Sequence, residues 1–204
     1  MYISRIFLDG RKHDTARAMY NRGIFHGAIE NCFTGDRQHP LWRIDKSEGR
    51  LSVMIVSKDE PNLNMFCKQF GVDGVLPQTK DYDLFLKKGF HTNDILKFHL
   101  TANPTIKKNN KRIPLNMNKT ENVPYCAMDW LVDRLKGKGA EVLSAQISSY
   151  ESHKITGNNK KITLAAATYD GVLKVTDESE FAKLLSQGVG HGKAYGCGMI
   201  SVMR

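Results

Sequence analysis

One of the chain's seven histidines has a setting that suggests chemistry. His26 lies in a stretch where Ala18, Phe25, Ile29, Cys32 and Phe33 recur at helical spacing. On one continuous helix over 15–33, Met19 and Phe33 would fall within about 20° of it, and the centre of the apolar stripe roughly 70° away. The imidazole is thus expected on the rim of the buried face, with one edge in solvent. Arg22 and Glu30 are its i−4 and i+4 neighbours. A rim imidazole accepts or gives a proton near neutral pH; the plainer reading is a packed histidine bonded to a carbonyl. His191, inside a glycine-rich loop, is its competitor, and His153 falls in a basic hairpin where it could touch phosphate. His99 suits a cross-strand partner. His13 and His39 sit in connections, and His91 in a weakly patterned stretch. No histidines show HxxxH or HxH spacing, and Cys32, Cys67, Cys126 and Cys197 form no CxxC pair. Neither a metal site nor a disulfide framework is indicated.

A second feature is Gly188-Val-Gly-His-Gly-Lys-Ala-Tyr-Gly-Cys-Gly198, which carries Gly188, Gly190, Gly192, Gly196 and Gly198, five of the 17 glycines, together with Lys193. An apolar helical pattern precedes it and a strand-like run follows. The amides of such a loop can cradle a phosphate or a nucleic-acid backbone. It also reads as a helix C-cap and tight turn without a ligand. A P-loop is excluded because Gln187 and Ala194 stand where glycine and Ser/Thr are required. A dinucleotide fingerprint is excluded because helix and strand come in the wrong order.

The third feature is basic. Lys154, Lys160 and Lys161 flank a Gly157-Asn158-Asn159 turn in a long polar hairpin, a shape that can enter a groove of double-stranded RNA. Lys107, Lys108, Lys111 and Arg112 form a second basic run. Either could equally be a solvated surface. No strand has the aromatic density that stacks splayed bases, and no helix presents basic and amide residues along one face as a major-groove reader does.

The elements that must position these residues follow from the apolar pattern. In the first part a strand over 2–8, the 15–33 helix, a hairpin of strands 41–45 and 51–56, a short helix over 62–70 and a faint strand near 82–86 succeed one another. The order restarts with a strand over 95–102, a helix over 124–137, a strand over 142–150, strands 162–169 and 172–175 joined at Asp170-Gly171, and a helix over about 178–187. The reading is α+β: two tandem βαββαβ units, ferredoxin-like (RRM-like), spanning 1–90 and 95–204, the second carrying the basic hairpin and the glycine loop. A single twisted sheet is the alternative. Thirty Lys+Arg against 21 Asp+Glu give a net charge of +9, which suits a polyanionic partner such as nucleic acid. No 18-residue apolar run implies a membrane span, the N-terminal stretch reads as a strand, and a cytoplasmic protein with reduced thiols is expected.

Taken together, Met1-Tyr-Ile-Ser-Arg5, His26-Gly-Ala-Ile-Glu-Asn-Cys-Phe33, Leu41-Trp-Arg-Ile44, Leu100-Thr-Ala-Asn-Pro104 with Lys111-Arg112, Trp130-Leu131 and Gly188–Gly198 resemble the CasE family of CRISPR-associated endoribonucleases of the type I-E Cascade complex. The resemblance covers nearly the whole chain. It implies two tandem ferredoxin-like folds and cleavage of CRISPR precursor RNA at the base of the repeat stem-loop, without metal or small-molecule cofactor. A 2′-hydroxyl would attack the adjacent phosphate to leave a cyclic phosphate and a 5′-hydroxyl. His26 would be the catalytic general acid or base, and the basic hairpin would enter the RNA groove. The product RNA would stay bound, with other Cascade subunits as partners. Members often carry a tyrosine three residues before the histidine; here that residue is Gly23, and Tyr20 would lie about 120° round the helix. Arg22, Tyr20, His191 and Lys193 are the candidates for steadying the phosphate. The departure leaves an alternative: a catalytically inactive scaffold subunit that binds stem-loop RNA. A basic α+β protein with a non-RNA partner is the third.

Overall fold

The computed structural model describes the backbone of residues 1–47, 49–157 and 160–204, and their side chains except those of residues 88 and 154–163. The first unit runs β1 (Tyr2–Leu8), α1 (His13–Tyr20), α2 (Arg22–Glu30), β2 (Leu41–Ser47), β3 (Arg50–Ser57), α3 (Asn64–Phe70) and β4 (Gln78–Asp81). Its strands form an antiparallel sheet in the order β2-β3-β1-β4. Alternation in β1 turns Ser4, Ile6 and Leu8 inward. The helices cover that face, and Phe25, Trp42, Phe66 and Phe70 close the core, Phe25 lying 5.9 Å from the Trp42 ring and 5.0 Å from Phe70.

After α4 (Asp83–Lys88), the second unit repeats the plan with β5 (Ile95–Ala102), β6 (Thr105–Lys108), β7 (Lys111–Pro114), α5 (Ala127–Leu135), β8 (Ala140–Gly157), β9 (Lys160–Val175), α6 (Glu178–Gln187), a 3₁₀ turn (Lys193–Tyr195) and β10 (Ile200–Met203). The sheet order is β10-β5-β9-β8, all pairs antiparallel. Counted within each unit, both sheets read 4-1-3-2, the ferredoxin-like order. Trp130, Leu131, Tyr169, Phe181 and Leu185 fill the second core.

Three expectations are corrected. The helix over 15–33 is two helices, because Asn21 takes an extended backbone (φ −118°, ψ 92°) and its side chain accepts the Gly23 amide at 3.1 Å as the N-cap of α2. Residues 82–86 enter a helix rather than a strand, the strand lying just before them at 78–81. Asp170-Gly171 is no turn: both residues sit inside β9, which is continuous from 160 to 175. Gly171 is there because β8 shifts register between Val142 and Ser144, bringing the Ser144 carbonyl against the place a Cβ would occupy. The hairpin added to the repeat is β6–β7, turned by Asn109 and Asn110 at φ 49° and 59°.

The two units meet along β2. Leu41, Val56, Tyr82 and Met199 form a small shared cluster. Beside it the buried Arg43 (3 % exposed) donates to the carbonyls of His99 and Met199, both at 3.0 Å, to Ser201 Oγ at 2.9 Å, and to Asp45 at 2.6 and 3.0 Å. A cleft of about 1130 Å³ opens next to it between the sheets, lined by Arg22, Arg43, Asp45, His99, His153 and Asp170 among others.

Candidate active site and nucleic-acid face

The break at Asn21 decides where His26 points. Because α2 starts afresh at Arg22, the helix is free to pack against the 3₁₀ turn of the glycine loop and against β8. The His26 side chain is 29 % exposed, half-packed as a rim position requires. Burial pushes its imidazole below the ordinary value of 6.5; Glu30 works in the opposite direction, and Arg37 and His39 add to the lowering. The ring is therefore biased to the neutral form, which carries a lone pair for a proton.

Arg22 does not share that surface. It is 8 % exposed and turned into the cleft, where Nη1 lies 3.5 Å from the Tyr195 carbonyl and Nη2 3.4 Å from His153 Nε2. Burial lowers its guanidinium from the usual value. It ties α2 to the glycine loop and to β8, as a link between the units. Tyr20 is 84 % exposed and ends α1, so it does not ride on the helix of His26 at all. His153 stands at the inner end of the long hairpin, 18 % exposed, with Nε2 3.2 Å from Glu151 Oε2; burial, then Arg22, lowers its imidazole. It is a cleft residue.

The glycine loop serves packing first. Gly188, at φ 70°, ends α6 and donates to the Leu184 carbonyl at 2.9 Å. A Cβ on Gly196 (φ 80°) would lie 2.8 Å from the Trp42 ring, and one on Gly190 (φ 73°) 2.9 Å from that of Trp130. Gly192 sits as close to Leu164, and Gly198 abuts the Val189 carbonyl. The loop thus lies flat across both cores, and the amides of residues 188, 189 and 195–198 bond inward. Its outer turn carries His191, which is exposed and bridges to Asn103, and Lys193. Burial and then Arg112, Arg134 and Lys193 lower the His191 imidazole; burial and then Lys138 lower the Lys193 amine. The charges around His191 come from three elements: hairpin β6–β7, helix α5 and the loop.

Lys107, Lys108, Lys111 and Arg112 are all exposed on that hairpin, with Lys107 opposite Arg112 and Lys108 opposite Lys111. The side chains of Lys154, Lys160 and Lys161 lie outside the described residues; their backbone belongs to β8 and β9. Among the described residues no group of three or more His, Cys, Asp or Glu side chains is placed to hold a metal, and no helix is long and apolar enough to cross a membrane.

A family model described as CRISPR associated protein matches residues 1–204. The chain belongs to that family. It is 25 % identical over 99 % of its length, and 99 % of the relative's, to the CRISPR-associated endoribonuclease Cse3 of Thermus thermophilus. It is 32 % identical over 52 % of its length, and 57 % of the relative's, to the CRISPR system Cascade subunit CasE of Escherichia coli. In fold it is similar to Thermus thermophilus Cse3 bound to an RNA representing a pre-cleavage complex: TM-score 0.81 and 22 % identity, over 100 % of this chain and 98 % of the other.

Two site features escaped the sequence reading. Arg43 looked like an ordinary strand residue, and only the meeting of the two sheets makes it a bridge. His39 was set aside as part of a connection, but the segment after α2 folds back and brings it to Glu30. Pro40 beside it was the one local hint of a fixed backbone.

Proposed function

We propose that the protein is an endoribonuclease that cuts CRISPR precursor RNA at the base of the repeat stem-loop without a metal or other cofactor, and that it stays on the product as a subunit of a Cascade-type surveillance complex. The observation that carries the reading is His26. It is a half-exposed imidazole biased to the neutral form, on a helix that packs against the lysine-bearing turn of the glycine loop. The names of the relatives, an endoribonuclease and a Cascade subunit, point the same way.

In this reading a 2′-hydroxyl attacks the neighbouring phosphorus while His26 moves a proton, leaving a cyclic phosphate and a 5′-hydroxyl. Lys193 at the outer turn stabilises the phosphate charge. The β6–β7 hairpin, with Lys107, Lys108, Lys111 and Arg112, lies on the stem, and the tip of the β8–β9 hairpin with Lys154, Lys160 and Lys161 reaches a groove. Arg22 acts from behind by fixing α2 against the loop. The two units divide at 1–90 and 95–204.

The test is His26→Ala on repeat stem-loop RNA. Single-turnover cleavage is expected to fall by about 10²–10⁴-fold with the dissociation constant unchanged. Wild-type cleavage by that variant would remove His26 from the mechanism. A wild-type protein that binds the stem-loop and returns it uncut would favour an RNA-binding scaffold.

A further inference from the structure

The Glu30 side chain is only 13 % exposed, and its Oε1 forms no hydrogen bond among the described residues. Two imidazoles face that oxygen: His26 Nδ1 at 4.0 Å from the same helix, and His39 Nδ1 at 3.7 Å from the segment that follows. A largely buried carboxylate without a hydrogen bond is costly unless something approaches it. His39 reaches it at a price in backbone conformation, with φ 48°, a region that non-glycine residues seldom take. It remains 74 % exposed. In both rings Nδ1 is the nitrogen that approaches this oxygen.

We propose that Glu30 positions two imidazoles rather than one, and that His39 is the second proton-transfer group of the cleavage reaction proposed above, on which this inference rests. With Nδ1–H directed at the carboxylate, each ring presents Nε2 to the RNA, the arrangement by which a carboxylate fixes a histidine tautomer. The separations close to hydrogen-bond length with a small rotation of the Glu30 side chain, as catalytic contacts commonly do when substrate arrives. Burial favours neutral His26, which suits it to the base role and leaves the acid role to His39. His26 Nε2 takes the 2′-hydroxyl proton as O2′ bonds to phosphorus. The P–O5′ bond breaks with its electron pair going to O5′, which takes a proton from the His39 imidazolium. No water or co-reactant is consumed, and solvent returns the two rings to their starting protonation. The charged groups acting on His26 are Glu30, Arg37 and His39. Those on the elements packed against α2 act elsewhere: on α1 Arg17 lies 3.9 Å from Asp14, which also accepts from Gln69, while Glu151 and His153 face Arg22, and Lys193 faces Lys138 and His191.

Single-turnover cleavage of repeat stem-loop RNA, followed against pH beside its dissociation constant, tests the pair. His39→Asn keeps a residue tolerant of positive φ. Its rate is expected to fall about 10²-fold, with affinity unchanged and one limb of the pH profile gone. Glu30→Gln keeps an acceptor for Nδ1–H but removes the charge. The His26 ring, followed by NMR, is then expected to titrate at lower pH, and the rate profile to move with it. Glu30→Ala loses the orientation as well and is slower than Glu30→Gln. Cleavage by His39→Asn at the wild-type rate with both limbs intact overturns the pairing, and a His26 titration unmoved in Glu30→Gln overturns the role of Glu30. The underlying nuclease reading fails separately, through cleavage that survives His26→Ala.

Discussion

The first crossover of the N-terminal sheet and that of the C-terminal sheet make the same connection by different means. Between β1 and β2 the chain uses two short helices broken at Asn21, with no inserted hairpin. Between β5 and β8 it first extrudes the β6–β7 hairpin and then runs one unbroken helix, α5, capped by a box in which the Cys126 amide donates to Asp129 at 2.9 Å. The same plan thus yields a short helix presenting a half-buried imidazole in one unit and a projecting basic arm in the other. Proton transfer needs a group held in a restricted environment by rigid neighbours. Holding a polyanion needs reach and charge, which insertions supply at little cost to the core. In the proposed reading the two sites would face one RNA only while the units stay docked, so breaking the docking is the sharpest way to test the comparison.

Arg43→Ala does that. It removes five hydrogen bonds to four partners, three of them crossing between the units, and leaves Asp45 and the Met199 carbonyl without the Arg43 donor. Breaking a buried charged pair costs about 3–5 kcal/mol, and the 24 % exposure of Asp45 places this one at the lower end. The unfolding free energy from denaturant titration is expected to drop by that amount, with cleavage lost before stem binding as the units part. An unchanged unfolding free energy would mean that Arg43 bridges nothing and that the units are held by the Leu41, Val56, Tyr82 and Met199 cluster together with the Arg22 and glycine-loop contacts.

Arg43 also marks where sequence reasoning stops. The βαββαβ repeat was legible because buried positions alternate in β1 and β5 and recur at helical spacing in α5 and α6. His26 was legible as a rim residue for a reason that proved incomplete: its angle was measured on a helix that the Asn21 cap interrupts. The turn assigned to Asp170-Gly171 followed a sound local rule that a β-bulge overrides, since a glycine also serves where two backbones approach. Contacts between residues on different elements leave no periodic trace, so neither Arg43 against the His99 and Met199 carbonyls nor His39 against Glu30 could be read from spacing.

The outward half of the comparison is probed at β6–β7. Replacing Lys107 and Arg112, a facing pair, by Gln is expected to weaken stem-loop binding at moderate salt and to lower the slope of log affinity against log salt by about one per side chain. The cleavage rate of saturated complex should not change. If the slope holds, the stem lies elsewhere, and the hairpin is only a solvated arm.

The smallest effect is set by acid. His26 in the first unit and His153 in the second are both held below the ordinary histidine value of 6.5, in each case first by burial. A folded-state value below the unfolded one means the unfolded chain binds protons first as the pH falls. Their contribution to stability is therefore full above 6.5 and declines as pH drops from there toward the folded values. The carboxylates held near 2, Asp9 and Asp129, keep theirs in full until the pH falls below 3.8. Urea midpoints should fall between about pH 7.5 and about pH 5.5. Replacing His26 and His153 by Gln, singly and together, should flatten that fall stepwise. His153 is the less exposed of the two and sits beside the Arg22 cation, so its replacement should remove the larger share. A fall that His26→Gln alone abolishes would place the acid sensitivity wholly in the broken helix, and would mean that His153 takes up protons alike in the folded and unfolded chain across that range.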